Sequence, residues 1–314
     1  MSDENVTIKA ALDEVAKVII GKTDVLEKIM MAILAQGHIL IDDIPGVGKT
    51  TISLAFAKVL GLSQKRLQFT PDVLPSDITG FTMYEKNNNS FRYIPGSAMT
   101  NILLADEINR TSPRTQSALL EVMEEGSITV DGVTRPVPKP FTVIATQNPA
   151  GSIGTQELPE SQADRFLIRI SVGYPDMKEE IEILKGIHSN ALNEIKSILS
   201  AEEILALQEK TNNIYIDDSI YEYIAKLAKA TRESAAIELG ISPRGSIAAI
   251  KMTQARAMLC GRSYARPDDV VAILKPVLQH RLIINNKARF EHNSLDNIFA
   301  DIVKTIPLPK ITEQ

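Results

Sequence analysis

Cysteine is almost missing from this sequence. The 314 residues contain one, Cys260, so no internal disulfide can form and nothing in the chain calls for an oxidising compartment. We read Cys260 as a small buried hydrophobe near a helix end. Long apolar runs are missing too, and none approaches the roughly 20 residues that a membrane helix needs. The opening "MSDENVTIKAALDEVAKVII" has neither a basic stretch nor a small-residue cleavage site, so a cytoplasmic location is expected. Positive charge is not in excess: 34 Lys and Arg against 39 Asp and Glu leave a net charge of -5, which opposes non-specific attraction to polyanions. No basic and aromatic run of the kind that tracks single strands is present, and no internal repeat is evident.

What remains is an ordinary globular composition, 44% hydrophobic and 23% charged, with room for two domains. An amphipathic helix comes first (Ile8, Leu12, Val15, Ile19). "GHILID" then reads as a short buried strand, followed by a glycine-bearing loop and the helix "KTTISLAFAKVLG". "RLQFT", "TNILLAD" and "PFTVIATQN" are further apolar stretches with polar endings, and helical patterns separate most of them. This predicts a doubly wound α/β sheet. One helix has Ser112 as N-cap, Pro113 at its first position and Gly126 at its stop. "GFTMYEKNNNSFRYIPG" and "GSITVDGVTRPVP" read as inserted hairpins, the second with Asp131-Gly132 at its turn. Past "ISVGYPD" the pattern is almost wholly helical, with Asp217 capping a helix that carries Ile220, Ile224, Leu227 and Ala228 on one face. The boundary is placed at residues 174–176.

The chemistry concentrates in "DDIPGVGKTT". Gly46 and Gly48 allow a tight turn whose successive N–H groups point at phosphate oxygens, and the following helix N-terminus adds to that attraction. Lys49 would reach the β and γ phosphates and the Thr50 hydroxyl would bind Mg²⁺. Asp43 stands where the GxxxxGK[ST] pattern has glycine. It closes the strand before the cradle, so it need only keep an allowed backbone and point its carboxylate away, and Asp43→Gly should keep ATP binding. "NILLADE" ends an apolar strand in Asp106, suited to the metal, and Glu107, suited to an attacking water. "TVIATQNP" ends another in Gln147 and Asn148, where an amide could contact the water or the γ-phosphate, although an Asn-Pro turn has the same sequence. Arg165 precedes a strand, and on its own residues it reads first as a surface salt bridge, with a group reaching a neighbour's phosphate as the alternative.

These residues, together with "FTPDVLPSDITGF", "LADEINRTSPRTQSALLEVMEEG", "LPESQADRF", "SPRGS" and "RPDDV", closely resemble the MoxR-type AAA+ ATPases over residues 18–282. The resemblance implies an ASCE P-loop core over residues 1–175, a helical lid over residues 176–314, and the two insertions that define the helix-2-insert clade. It places Pro45, Gly46, Val47, Gly48, Lys49, Thr50 and Thr51 in Walker A, Asp106 and Glu107 in Walker B and Asn148 at sensor 1. Arg165 falls at the arginine finger and Arg244 at sensor 2, in cis or in trans. Ile20 and Gly21 fall at the segment that meets adenine. It further implies ATP and Mg²⁺ as ligands, a homo-oligomeric ring, commonly a hexamer, and chaperone-like remodelling of a protein client. A separately encoded von Willebrand factor A domain partner is possible within that picture. A nucleic-acid motor and a nucleotide-gated scaffold with little hydrolysis are the competing readings. A small-molecule kinase is disfavoured, because no acceptor pocket signature accompanies the loop.

Overall fold

A computed structural model describes residues 3–43, 48–87, 89–148, 158–185, 191–291 and 294–309. In chain order the strands are β1 (Ile39–Asp42), β2 (Gln64–Gln68), β3 (Phe81–Glu85), β4 (Ser90–Ile94), β5 (Ile102–Asp106), β6 (Ser127–Val130), β7 (Val133–Pro136), β8 (Thr142–Gln147), β9 (Ile168–Ile170), β10 (Ile237–Leu239) and β11 (Ile283–Ile284). Five of them form one parallel sheet in the order β2-β5-β8-β1-β9. The middle strands are buried on both faces, which is why β5 and β8 read as continuous apolar runs. Strand β2 lies at an edge and is correspondingly polar, "QKRLQ".

The helices are α1 (Asp3–Ala16), α2 (Thr23–Leu34), α3 (Lys49–Val59), α4 (Pro75–Thr79), α5 (Pro113–Glu125), α6 (Glu160–Ala163), α7 (Met177–Leu184), α8 (Ala191–Glu194), α9 (Ala201–Asn212), α10 (Asp218–Glu233), α11 (Pro243–Leu259), α12 (Pro267–Leu278), α13 (Asn286–Phe290) and α14 (Leu295–Thr305). Ser112 caps α5 by accepting from the Thr115 amide, and Gly126 ends it in the left-handed region. Ser242 caps α11 through the Gly245 amide. Among the described residues no helix is long and apolar enough to cross a membrane.

Both insertions are hairpins. β3 pairs with β4 and β6 with β7, antiparallel in each case. Asp131 and Gly132 at the second turn both take positive φ, 51° and 75°, the pairing that matches the twist of a two-residue hairpin.

Alternation along the central strands divides the interior. Leu40, Leu103, Ala105, Val143 and Ala145 face a cluster built with α5. Ile39, Ile41, Ile102, Leu104 and Ile144 face a larger cluster that takes in α1, α2, α3 and the helices that follow the sheet, through Leu282. One apolar interior therefore runs from the sheet into the helical part.

Three sequence expectations need adjusting. Helix α2, most of whose residues are buried, is not marked in the sequence by a capping side chain at its start, and its second half is apolar throughout. Helix α1 ends at Ala16, so Ile19 lies beyond it. Cys260 is exposed, not buried: it is the C-cap of α11, one position past the buried Leu259, where the chain turns outward.

Candidate nucleotide site

The C-terminal ends of β1, β5 and β8 lie side by side, the place where open α/β sheets bind ligands. Helix α3 begins there. Its N-cap, Gly48, has φ 86°, and a Cβ at that position would meet nothing within 4 Å, so conformation rather than space calls for glycine. Lys49, Thr50 and Thr51 form the first turn, whose N–H groups have no intrahelical acceptors and point toward the loop. Pro45, Gly46 and Val47 lie outside the described residues. Lys49 is buried, and its Nζ donates to the Asp43 carbonyl at 2.8 Å. Burial pushes the Lys49 ammonium below its ordinary pKa, opposed by the charges of Asp106, Asp43, Glu107 and Asp42.

Asp106 closes β5. Its Oδ1 accepts from Thr146 Oγ1 at 2.6 Å and its Oδ2 from Arg66 Nη2 at 2.7 Å. Glu107 follows in a left-handed backbone, φ 59° and ψ 49°, which costs a side-chain-bearing residue about 1 kcal/mol. Its amide donates to Thr146 Oγ1 at 2.9 Å. Its Oε2 accepts from Arg110 at 2.8 Å and from Gln68 at 3.0 Å, and its Oε1 from Asn148 Nδ2 at 3.2 Å. Burial pushes the Glu107 carboxyl up, but the hydrogen bonds from Arg110 and Asn148 outweigh it and hold the group below its ordinary value. Asn148 is fixed in turn by Asn109, and its own Oδ1 is buried with no hydrogen-bond partner among the described residues.

Lys49, Asp106, Glu107 and Asn148 are thus brought together. Two hydroxyl or carboxylate donors, Thr50 and Asp106, suit a hard cation, and the orphaned Asn148 oxygen adds an unused polar atom. The residues fit a magnesium nucleotide. Ile20 and Gly21 lie in the turn between α1 and α2. Gly21, at φ 71°, packs so closely on Glu179 of α7 that a Cβ would fall 1.5 Å from Oε1.

The two arginines lie elsewhere. Arg165 and Arg244 both pair with Glu124 near the end of α5, Arg244 at 2.5 Å. The cleft around them, of about 270 Å³, is also lined by His38, Lys251 and Arg281, which puts it at the start of β1. The four extended residues of β1 separate that end from Asp43, roughly 15 Å. Beside them Asp164 accepts from Arg281 Nε at 2.6 Å and from Ser242 Oγ at 3.0 Å. Arg281 donates as well to the Phe166 carbonyl at 2.6 Å.

Sequence reasoning missed Arg66, Gln68, Arg110 and Thr146. Gln68 stands in register with Asp106, so a search for polar residues at every strand end would have found it. Asp43 points its carboxylate away from the phosphate loop, as expected, but the group has partners that the sequence did not suggest. It accepts from the amides of Val172 at 2.6 Å and Gly173 at 2.7 Å and from the Ser171 hydroxyl at 3.1 Å.

Comparison with known proteins agrees with this arrangement. Residues 38–168 match the family model "ATPase family associated with various cellular activities (AAA)", and residues 229–302 match "AAA lid domain". The chain is 45% identical to YeaC of Bacillus subtilis over 95% of this chain and 94% of that one. It is 37% identical to Chaperone MoxR1 of Mycobacterium tuberculosis over 97% and 83% respectively. A crystal structure of a Cytophaga hutchinsonii protein, 34% identical, superposes with a TM-score of 0.90 over 98% of this chain and 96% of that one. Sheet order, lid and relatives agree, and the chain belongs to the MoxR family of AAA+ ATPases.

Proposed function

We propose that the protein hydrolyses Mg-ATP at the strand ends and uses the change in lid and subunit geometry to remodel or mature a protein client. In this reading Lys49 leaves the Asp43 carbonyl for the phosphates, and the first turn of α3 binds their oxygens through Thr50 and Thr51. Magnesium, when bound, supplies charge neutralisation, with Thr50 and Asp106 as its ligands. Glu107, kept ionised by Arg110 and Asn148, orients the attacking water and accepts its proton. Ile20 and Gly21 border the adenine. The partner is a second copy of the chain in a cytoplasmic ring, a hexamer by family pattern, beside a separately encoded client or von Willebrand factor A domain protein.

The observation that carries this reading is the separation of the arginines from the lysine. Arg165, from the core, and Arg244, from the lid, meet on one glutamate at the opposite end of β1 from Lys49. A group so placed cannot serve its own site, but it can present two guanidinium ions to the phosphate of an adjoining subunit. Glu124 keeps both side chains extended and aimed together until that anion arrives.

Complementation tests it. Lys49→Ala retains the arginines but should bind ATP severely less well, whereas Arg165→Ala retains its own phosphate site but lacks one arginine. Each variant alone should hydrolyse ATP poorly, and mixing them should restore turnover in those Arg165→Ala subunits that border a Lys49→Ala neighbour. Co-assembly demonstrated by native mass spectrometry, without recovered turnover, would exclude action in trans.

A further inference from the structure

Asp43 faces two ways. Its backbone carbonyl holds the Lys49 ammonium at 2.8 Å. Its buried carboxylate holds residues 171–173 through two backbone amides and one hydroxyl. The amides of 172 and 173 converge on a single oxygen as in a backbone nest, and Gly173 takes φ 69°. Nothing lies within 4 Å of where its Cβ would be, so the conformation alone asks for glycine. Charge-assisted hydrogen bonds to a buried carboxylate are among the stronger ones available to a loop.

Residues 171–173 begin the connection between β9 and α7, the way from the sheet into the helical lid. That connection is gripped a second time: Lys22 Nζ donates to the Tyr174 carbonyl at 2.8 Å and pairs with Glu179 at 3.3 Å. Lys22 adjoins Gly21, whose backbone packs on the same Glu179. The connection is therefore held at one point by the residue that opens the phosphate loop and at another by the turn assigned above to adenine.

We infer that Asp43 is a positioning residue that couples occupancy of the phosphate site to the connection at residues 171–176, and so to the lid. This rests on the nucleotide reading given above. A phosphate that draws Lys49 away leaves the Asp43 carbonyl without its donor, and the backbone there readjusts. Because the carboxylate of the same residue is fastened to the start of the connection, the readjustment is passed on. A glycine at this position, as in the commoner form of the loop, would leave the amides of 172 and 173 without their acceptor.

The test compares the full-length wild type with Asp43→Ala, Asp43→Asn and Gly173→Ala. Hydrogen exchange over residues 171–176 is measured with and without a non-hydrolysable ATP analogue and Mg²⁺, beside analogue affinity and steady-state turnover. The wild type should show nucleotide-dependent exchange in that segment. Asp43→Ala should lose the response, with kcat lowered about tenfold or more while KM changes less. Asp43→Asn, which keeps an acceptor oxygen, should recover part of both. Gly173→Ala, which disturbs the nest from its other side, should repeat the uncoupling should Asp43→Ala fail to fold. A nucleotide response and kcat in Asp43→Ala equal to the wild type would overturn the inference. So would a lowered melting temperature with kcat of the folded protein unchanged, since that marks a purely structural contact. A wild type that binds the analogue without any exchange response in residues 171–176 overturns the coupling alone, whereas one that binds no analogue overturns the nucleotide reading as well.

Discussion

Glu107 occupies a backbone region that an L-residue enters at a cost, and four groups from three places in the chain hold it there: Gln68, Arg110, Asn148 and the hydroxyl of Thr146. Strain maintained by that much support is a mark of a functional position. Glu107→Gln keeps the shape and removes the charge. It should leave ATP binding in place while lowering turnover by about 100-fold or more, read from equilibrium binding and phosphate release. Unchanged turnover would remove Glu107 from the reaction. The acid pair itself was legible, because an apolar strand ending in two carboxylates is a local pattern. Its supports were not: Thr146 and Gln68 reach Glu107 only once β8 and β2 flank β5, and sheet order is not written in any short stretch. The same is true of Asp43, whose carboxylate partners lie 128 to 130 residues away.

Elements were easier to read where they carry their own punctuation. Helix α5 announces itself with Ser112, Pro113 and Gly126, and the second hairpin with Asp131-Gly132. Helix α2 has no such marks, and Lys22 at its N-cap makes no side-chain cap hydrogen bond. A buried imidazole joins three of these elements: His38, just ahead of β1, accepts at Nδ1 from the Val143 amide at the start of β8, and its Nε2 contacts the Met123 carbonyl in α5 at 3.0 Å. Burial lowers its pKa from 6.5 to about 4, against the Met123 carbonyl, which favours the proton, and with the help of nearby Lys251. The unfolded chain then binds the proton more readily than the native one. The contribution of neutral His38 is complete above pH 6.5 and is lost as pH falls toward 4, in all about 3 kcal/mol. His280, also buried and shifted downward by burial, adds in the same sense. Denaturant midpoints should therefore fall across this window, and His38→Gln should flatten the slope.

At the scale of the whole molecule, the sheet and the lid share one apolar interior. Helix α1 sits where they meet, touching α2, α3 and α11, with Ile8 and Val15 fully buried. Such an arrangement should unfold as one unit. Ile8→Ala should lower a single calorimetric transition by about 2–5 kcal/mol, and two separable transitions would contradict a shared core. The boundary near residues 174–176 separates two patterns of secondary structure, whereas the packing passes across it. A practical consequence follows from the exposed Cys260. It is the one thiol in the chain, and it sits at the far end of the helix whose opening turn bears Arg244, about 25 Å away along a rigid rod. A fluorophore or spin label attached there needs no engineered cysteine and no background removal, and it would test in the native sequence whether that rod moves when nucleotide is added.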